Sequence, residues 1–250
     1  MEIRAKELTE AIVKWTKEWF DENGKDCKAI IGMSGGKDST ICAAICVKAL
    51  GKDRVIGVAI PEAGQSYNEA NEICEFLGIR LIKFPIGEII NNINLTWMQH
   101  ISDVPRSNQT TQNIPPRLRM LILYAIAQSF NGRVIGTCNF SETILGYFTL
   151  WGDQCGDCEP LGDQYVSEVK AIGKELGIPD KWVDKIPDDG LPNSCPDEEK
   201  LGFTYEQLEN FLEEYALDNP KEINDKILER IVSNKFKQNI VNIPKFNNNY

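Results

Sequence analysis

The chain has 250 residues, of which 42% are hydrophobic and 26% are charged, and its formal net charge is −10. This length fits one large domain or two small ones, and no apolar run approaches the length of a membrane span. The acidic balance argues against DNA or RNA as the main partner, because binding to an extended polyanion depends on excess lysine and arginine. The N-terminus is charged and amphipathic and lacks the apolar core of a signal peptide, so we expect a cytoplasmic protein.

Eight cysteines in a chain without an export signal indicate a reducing compartment, where most of them are free thiols. Cys155 and Cys158 form one CxxC pair, and a four-thiolate zinc site can be drawn from them together with Cys138 and Cys195. A single CxxC without a second closely spaced pair is weak support for zinc. The cysteine pattern therefore favours free thiols.

Strands alternate with helices over the first 137 residues. The apolar patterns predict strands over 28–33, 54–60, 80–85 and 133–137, and helices over 2–22, 38–50, 67–77 and 116–130. This alternation is typical of an α/β fold with three layers, in which helices flank both faces of a doubly wound, mostly parallel sheet.

The rest of the chain is predicted to contain two long loops and a C-terminal helical portion from about residue 203. The loops span 138–165 and 187–200, and the helices span 205–215 and 220–232. Loops of this length in a compact domain are usually functional. No linker demands a second domain, so we expect one domain over residues 1–250.

The loop after the first strand reads Ser34-Gly35-Gly36-Lys37-Asp38-Ser39 and passes directly into a helix. Glycines let the backbone approach an anion, and the N–H groups and dipole at the start of the helix attract negative charge. Asp38 would repel a bare phosphate but suits a magnesium ion bound between it and phosphates. The loop therefore predicts a magnesium-pyrophosphate site at the carboxyl end of the first strand.

This loop resembles the SGGxDS pyrophosphate loop of the N-type ATP pyrophosphatases, which include NAD, GMP and asparagine synthetases and tRNA-modifying enzymes. Three later segments resemble those of the NAD synthetases in particular: Asn113–Met120, Gly136–Thr149 and Trp151–Pro179. The first resembles N-x-x-x-R-x-R-M, and the second GT-N-x-S-E followed by G-[FY]-F-T. The third resembles Y-G-D followed by P-[IL]-G-D and LGIP, with Trp151 in place of the tyrosine. Together the similar segments cover most of the chain.

The resemblance implies the adenine nucleotide alpha hydrolase-like fold and the activity of an ammonia-dependent NAD synthetase, since no glutaminase domain is present. Such a ligase adenylates the nicotinate carboxylate of deamido-NAD with ATP and Mg²⁺, and ammonia then displaces AMP. The partners implied are deamido-NAD, ATP, ammonia and a second copy of the chain in a homodimer. The amphipathic N-terminal helix either serves that dimer interface or covers the sheet.

The resemblance also implies roles for particular residues. The expected ATP and pyrophosphate ligands are Gly32, Met33, Ser34, Gly35, Gly36, Lys37, Asp38, Ser39, Arg119 and Thr137. The expected deamido-NAD ligands are Asn113, Arg117, Tyr147, Phe148, Thr149, Asp153 and Asp157. The expected catalytic residues are Asp38, Asp153 and Thr137, and the expected magnesium ligands are Asp38 and Glu142. Glu142 alternatively caps a helix or forms a local pair.

Two positions depart from the resemblance. Many NAD synthetases have a lysine where this chain has Val166, and Lys170 lies one helical turn further on. Lys37 occupies the variable position of SGGxDS and points either to the phosphates or to solvent. These departures favour, as an alternative, a related N-type ligase that adenylates a different carboxylate. The single histidine, His100, lies outside every motif and is expected at the surface.

Overall fold

The computed structural model describes residues 4–185, 196–213, 218–238 and 245–246. Within them four strands form one sheet: β1 (Lys28–Gly32), β2 (Val55–Ala59), β3 (Arg80–Lys83) and β4 (Gly132–Ile135). All strand pairs are parallel, and the order across the sheet is β3-β2-β1-β4. The predicted α/β class and its parallel sheet are confirmed.

The described helices lie in chain order between and after the strands. They are α1 (Ala5–Asn23), α2 (Lys37–Leu50), α3 (Asn68–Leu77), α4 (Gly87–His100), α5 (Asn108–Ser129), α6 (Phe140–Leu145), α7 (Val166–Glu175), α8 (Asp180–Val183), α9 (Asp197–Leu201), α10 (Tyr205–Leu212) and α11 (Lys221–Gln238). None of them is long and apolar enough to cross a membrane.

Side chains alternate along each strand, so the sheet contributes to two separate cores. Ile31 of β1 and Ile135 of β4 pack on one face with residues of α1, α2, α3 and α7. Ile30 and Val134 pack on the other face with residues of α4 and α5. Helices therefore cover both faces, as the three-layer prediction requires.

The N-terminal helix α1 packs against α2 and α7, with Ile12 and Phe20 fully buried. Trp15 and Trp19 are partly buried against the same core. The helix therefore belongs to the helical layer on this face of the sheet, and its part in a dimer interface stays a prediction.

A third core joins the C-terminal helices to the rest of the chain. Leu145 of α6, Val166 of α7, Leu208 of α10 and Ile227 of α11 are buried together. These contacts fix α11 beside α6, which follows the last strand. A helix near the C-terminus therefore reaches the carboxyl edge of the sheet.

The structure corrects the prediction for α5. The apolar pattern predicts a helix that begins at 116, although a proline inside a helix lacks the N–H that helix interiors need. The helix instead begins at Asn108 and contains both Pro115 and Pro116. Ser107 caps it, since its Oγ accepts a bond of 3.0 Å from Thr110 N–H.

Other helices lie where the sequence predicts none or a loop. No element is predicted for α4, whose Gly87 and three asparagines have low helix propensity. The predicted loop over 138–165 contains α6, which a capping box between Asn139 and Glu142 stabilises. The predicted loop over 187–200 ends in α9, and its residues 187–195 lie outside the described part.

Candidate active site

A cavity of about 880 Å³ opens at the carboxyl edge of the sheet. The loops after β1, β2 and β4 form one side of it, and residues of α5, α9 and α11 form the other. The strand order reverses between β1 and β4, and ligands of open parallel sheets bind at such a switch point. The fold therefore places the loop that follows β1 at the usual ligand site.

The loop after β1 is held in shape by its own hydroxyl groups. Ser34 Oγ accepts a bond of 3.1 Å from Gly36 N–H and lies 3.1 Å from Ser39 Oγ. Gly35 has φ +81°, a conformation that side chains disfavour, and a Cβ there would meet Glu69 at 2.9 Å. Seven of the predicted loop residues line the cavity: Gly32, Met33, Ser34, Gly36, Lys37, Asp38 and Ser39.

Two carboxylates meet where this loop faces the loop after β4. Asp38 Oδ1 accepts a bond of 3.1 Å from Asn139 Nδ2, and Glu142 Oε2 accepts one of 3.0 Å from Asn139 N–H. Burial raises the pKa of Glu142, the charge of Asp38 raises it further, and Lys37 lowers it. Glu142 thus caps α6 with one oxygen while it also lines the cavity. Thr137 lines the same wall.

Lys37 points into the cavity and away from solvent. Its side chain is 3% exposed, and its Nζ lies 2.8 Å from Asp38 Oδ2. The sequence left open whether Lys37 points to the phosphates or to solvent, and the solvent direction is wrong. In the described residues the ammonium group pairs with the carboxylate that the sequence assigns to magnesium.

A second polar cluster, formed around Thr149, lines the same cavity. Thr149 Oγ1 donates a bond of 3.0 Å to Asn113 Oδ1, and Thr149 N–H donates one of 2.9 Å to Asp153 Oδ1. Burial raises the pKa of Asp153, although the bond from Thr149 N–H opposes this. Tyr147 and Phe148 also line the cavity. The structure thus brings five of the seven predicted deamido-NAD residues together.

The other two predicted deamido-NAD residues, Arg117 and Asp157, do not line the cavity that the described residues form. Arg117 is exposed and donates to Leu150 O over 3.1 Å. Asp157 has a structural place instead, since its Oδ2 accepts a bond of 2.7 Å from Val134 N–H. Its backbone N–H donates to Val134 O, also over 2.7 Å, so the segment pairs with the free edge of β4. Asp157 thus has a structural contact at the edge of β4, and its expected contact with the substrate stays a prediction.

Arg119 does line the cavity, but its guanidinium is already bonded to neighbouring protein groups. Its Nη2 lies 2.8 Å from Glu62 Oε1, and its Nε donates to Ile60 O over 3.1 Å. These contacts hold the guanidinium against the loop after β2. The two arginines point in different directions, as their spacing on a helix predicts.

Four cations of the cavity wall were missed by the sequence analysis: Lys185, Lys200, Arg230 and Lys237. Lys237 Nζ donates to Gly146 O and Phe148 O over 2.8 and 2.9 Å, and Arg230 lies over the Tyr147 ring. Arg230 Nε is buried without a hydrogen-bond partner in the described residues. Both residues come from α11, whose sequence shows only an amphipathic pattern, so only the tertiary fold reveals them.

The remaining sequence candidates lie elsewhere. Val166 is 5% exposed and belongs to the C-terminal core, and Lys170 is not part of the cavity wall that the described residues form. His100 is exposed at the end of α4. Cys195 lies outside the described residues, and within them no group of three or more histidine, cysteine or acidic side chains is arranged to hold a metal.

The fold and cavity define a nucleotide-binding α/β protein whose phosphate loop follows the first strand. The family model described as NAD synthase matches residues 8–249. The NH(3)-dependent NAD(+) synthetases of Pyrococcus furiosus and Methanococcoides burtonii are 37% and 40% identical to the chain. The matches cover 81% and 74% of this chain and 77% and 70% of those proteins. The chain therefore belongs to the NAD synthase family.

Solved structures agree with this assignment. The NMN synthetase of Francisella tularensis is similar with a TM-score of 0.85 and 28% identity, and the match covers 98% of this chain and 100% of that one. The NH3-dependent NAD synthetase of Campylobacter jejuni is similar with a TM-score of 0.77 and 25% identity, over 96% and 98% of the two chains. The expected adenine nucleotide alpha hydrolase-like fold is confirmed.

The place of Asp157 predicts a loss of stability rather than of binding. We expect Asp157→Ala to lower the free energy of unfolding by about 1–3 kcal/mol, because Val134 N–H loses its partner. Asp157→Asn keeps an acceptor oxygen and should recover most of the loss. Urea unfolding measures both, with exposed Asp53→Ala as the control. Wild-type stability of Asp157→Ala together with a raised KM for the acceptor would contradict the structural role.

Proposed function

We propose that the chain catalyses the ATP-dependent amidation of deamido-NAD by ammonia and releases NAD, AMP and pyrophosphate. The observation that carries this proposal is one cavity holding both the Ser34–Ser39 loop and the polar cluster of Asn113, Thr149 and Asp153. The names of the relatives support it. We also propose that one domain spans residues 1–250 and that it works in the cytoplasm, where its free thiols stay reduced.

In the first step a carboxylate oxygen of nicotinate attacks the α-phosphorus of ATP, and pyrophosphate leaves. The N–H groups of the loop, the dipole of α2 and the hydroxyls of Ser34 and Ser39 are suited to hold the leaving group. Thr137 can donate its hydroxyl to the acyl-adenylate from the opposite loop. Arg119 stands at the wall beside them.

Asp38 and Glu142 fit the magnesium ion that the family resemblance implies. Both line the cavity, and burial together with the charge of Asp38 makes the ionised form of Glu142 costly, which a divalent cation would relieve. Carboxylate oxygens are the protein ligands that magnesium prefers, and phosphates supply others. When bound, the ion would neutralise charge on the leaving pyrophosphate.

In the second step ammonia attacks the carbonyl carbon, and AMP leaves. We assign to Asp153 the binding of ammonium and the uptake of its proton, since it lines the cavity and its raised pKa suits a general base. Tyr147 and Phe148 offer aromatic faces to the pyridine ring. Arg230 and Lys237 also line the cavity and lie over the rings of Tyr147 and Phe148. They add positive charge there, where the phosphates of the acceptor can bind.

A second acceptor is nicotinate mononucleotide, which would give NMN by the same chemistry. The similarity to an NMN synthetase, with a TM-score of 0.85 over 98% of the chain, favours it. The replacement of the expected lysine by Val166 also keeps a different carboxylate acceptor open.

An assay of AMP release separates the two acceptors. The chain is incubated with ATP, Mg²⁺ and ammonium and with either deamido-NAD or nicotinate mononucleotide. We expect a kcat/KM for deamido-NAD at least about tenfold higher, with NAD as the product. A preference for the mononucleotide would assign the second function, and absence of AMP with both would overturn the proposal.

The role of Asp153 is tested by Asp153→Asn, which keeps an acceptor for Thr149 N–H but cannot take up a proton. We expect ammonia-dependent NAD formation to fall by about 10²-fold or more. Exchange of labelled pyrophosphate into ATP, which reports the first step alone, should change by only a few fold. Equal losses in the two assays would count against a base in the second step.

We further propose that the chain forms a homodimer through α4 and the turn that follows it. This helix contains Ile, Leu, Trp and Met residues, yet none of its residues is buried. Its Leu95 and Met98 are 48% and 68% exposed, and Ile101 and Val104 in the following turn are exposed as well. Several large apolar side chains exposed in one segment favour an interaction site, and a second copy is the partner that the resemblance implies.

Met98→Glu should therefore convert the dimer to a monomer, because the interface would bury an unpaired charge. Sedimentation analysis should give a wild-type mass of twice the 28.2 kDa chain. Leu228→Glu on α11 is the matched control, since Leu228 is exposed to 52% on a different helix. A monomeric wild type, or a dimer that only Leu228→Glu dissociates, would refute this interface.

A further inference from the structure

Lys37 stands at a position that is unfavourable for a cation. It is the first residue of α2, where the helix dipole and the free N–H groups attract negative charge and repel positive charge. Burial adds a second cost, since the side chain is only 3% exposed. The local structure alone would turn this side chain outward, so a specific attraction must hold it in the cavity.

That attraction comes from carboxylates on three elements. Asp38 Oδ2 lies 2.8 Å from Lys37 Nζ, and Glu142 and Asp197 act on it as well. Burial lowers the pKa of Lys37, but these three carboxylates more than compensate and raise it above the ordinary value. Asp197 is itself 5% exposed and accepts a bond of 2.9 Å from Tyr147 OH. The ammonium group is thus the counter-ion of a buried acidic cluster.

Both oxygens of Asp38 already have a hydrogen-bond partner. Oδ1 accepts from Asn139 Nδ2, and Oδ2 accepts from Lys37 Nζ. Asn139 is fully buried and fixed, because its Oδ1 accepts from Glu142 N–H and its own N–H donates to Glu142 Oε2. Each oxygen keeps a second lone pair, but a metal ion that binds Asp38 is repelled by the ammonium group of Lys37, which lies 2.8 Å from Oδ2. Asn139 is neutral and fixed, whereas Lys37 has a flexible four-carbon stem and can move away.

We propose that Lys37 is an internal counter-ion that takes the place of the metal ion in the nucleotide-free protein and moves to the phosphates when magnesium and ATP enter. This inference rests on the proposed role of Asp38 as a magnesium ligand. Ser34, Gly36 and Ser39 line the same cavity as Lys37, so the ammonium group need not cross any wall to reach a bound phosphate.

The test compares magnesium binding with and without the competing ammonium group. In the absence of nucleotide, calorimetry should show that Lys37→Met binds Mg²⁺ about tenfold or more tightly than the wild type, because no ammonium group then repels a cation at Asp38. The affinity for ATP at saturating Mg²⁺ should fall, since a phosphate contact is lost. Lys48→Met is the matched control, because Lys48 is exposed on the same helix; it should bind Mg²⁺ as the wild type does.

Thermal unfolding without ligands gives a second measurement. Lys37→Met leaves the partly buried Asp38 without its cation, so it should unfold at a lower temperature than Lys48→Met, and Mg²⁺ alone should restore most of the difference. Should Lys37→Met not fold in either condition, Lys37→Gln is compared in the same way. Equal Mg²⁺ affinities in the variant and the wild type would overturn the proposal.

These measurements are independent of the acceptor. A wild type that binds Mg²⁺ more weakly than Lys37→Met but makes no amide product would support the role of Lys37 and overturn the proposed function. A wild type that makes NAD but binds Mg²⁺ as tightly as Lys37→Met would support the proposed function and overturn the role of Lys37.

Discussion

The arrangement of the site depends on the hydrogen bonds of one buried amide, Asn139. Its Nδ2 donates to Asp38 on the loop after β1, and its Oδ1 and N–H bond Glu142 at the start of α6. The two loops belong to neighbouring strands, β1 and β4, so the sheet sets their distance and Asn139 sets their register. Without this link, the two carboxylates would be free to separate under their mutual repulsion.

The charge of the chain poses a problem that the cavity solves locally. A chain with a net charge of −10 has to hold a polyphosphate, and several acidic side chains line its cavity. Positive charge is supplied by residues from separate elements, including Lys37 of α2, Arg119 of α5 and Lys237 of α11. Because these residues are far apart in sequence, the charge around the ligand depends on the packing of the whole fold rather than on one motif.

The parts of the fold and site that could be predicted are those that depend on neighbouring residues in the sequence. The four strands and the loop after β1 follow from apolar runs and glycines, and the structure has them within a few residues. The start of α5 could not be predicted, because its capping residue lies eight positions before the first proline of the helix. Lys237 and Asp157 could not be placed either, since one is brought to the cavity by the C-terminal core and the other is bound to a strand edge. Tertiary contacts decide both.

Val166 has a packing role at a position where the family resemblance predicts a lysine. Its side chain packs with Leu145, Leu208 and Ile227, so the first residue of α7 joins α6 to the C-terminal helices. The same core holds α11 in the position from which Arg230 and Lys237 line the cavity. A lysine at 166 would have to take its ammonium group out of this apolar cluster, with a large desolvation cost if it could not. In this chain an apolar residue of the C-terminal core thus helps to hold the helix that carries Arg230 and Lys237, so the charge of the site depends on hydrophobic packing.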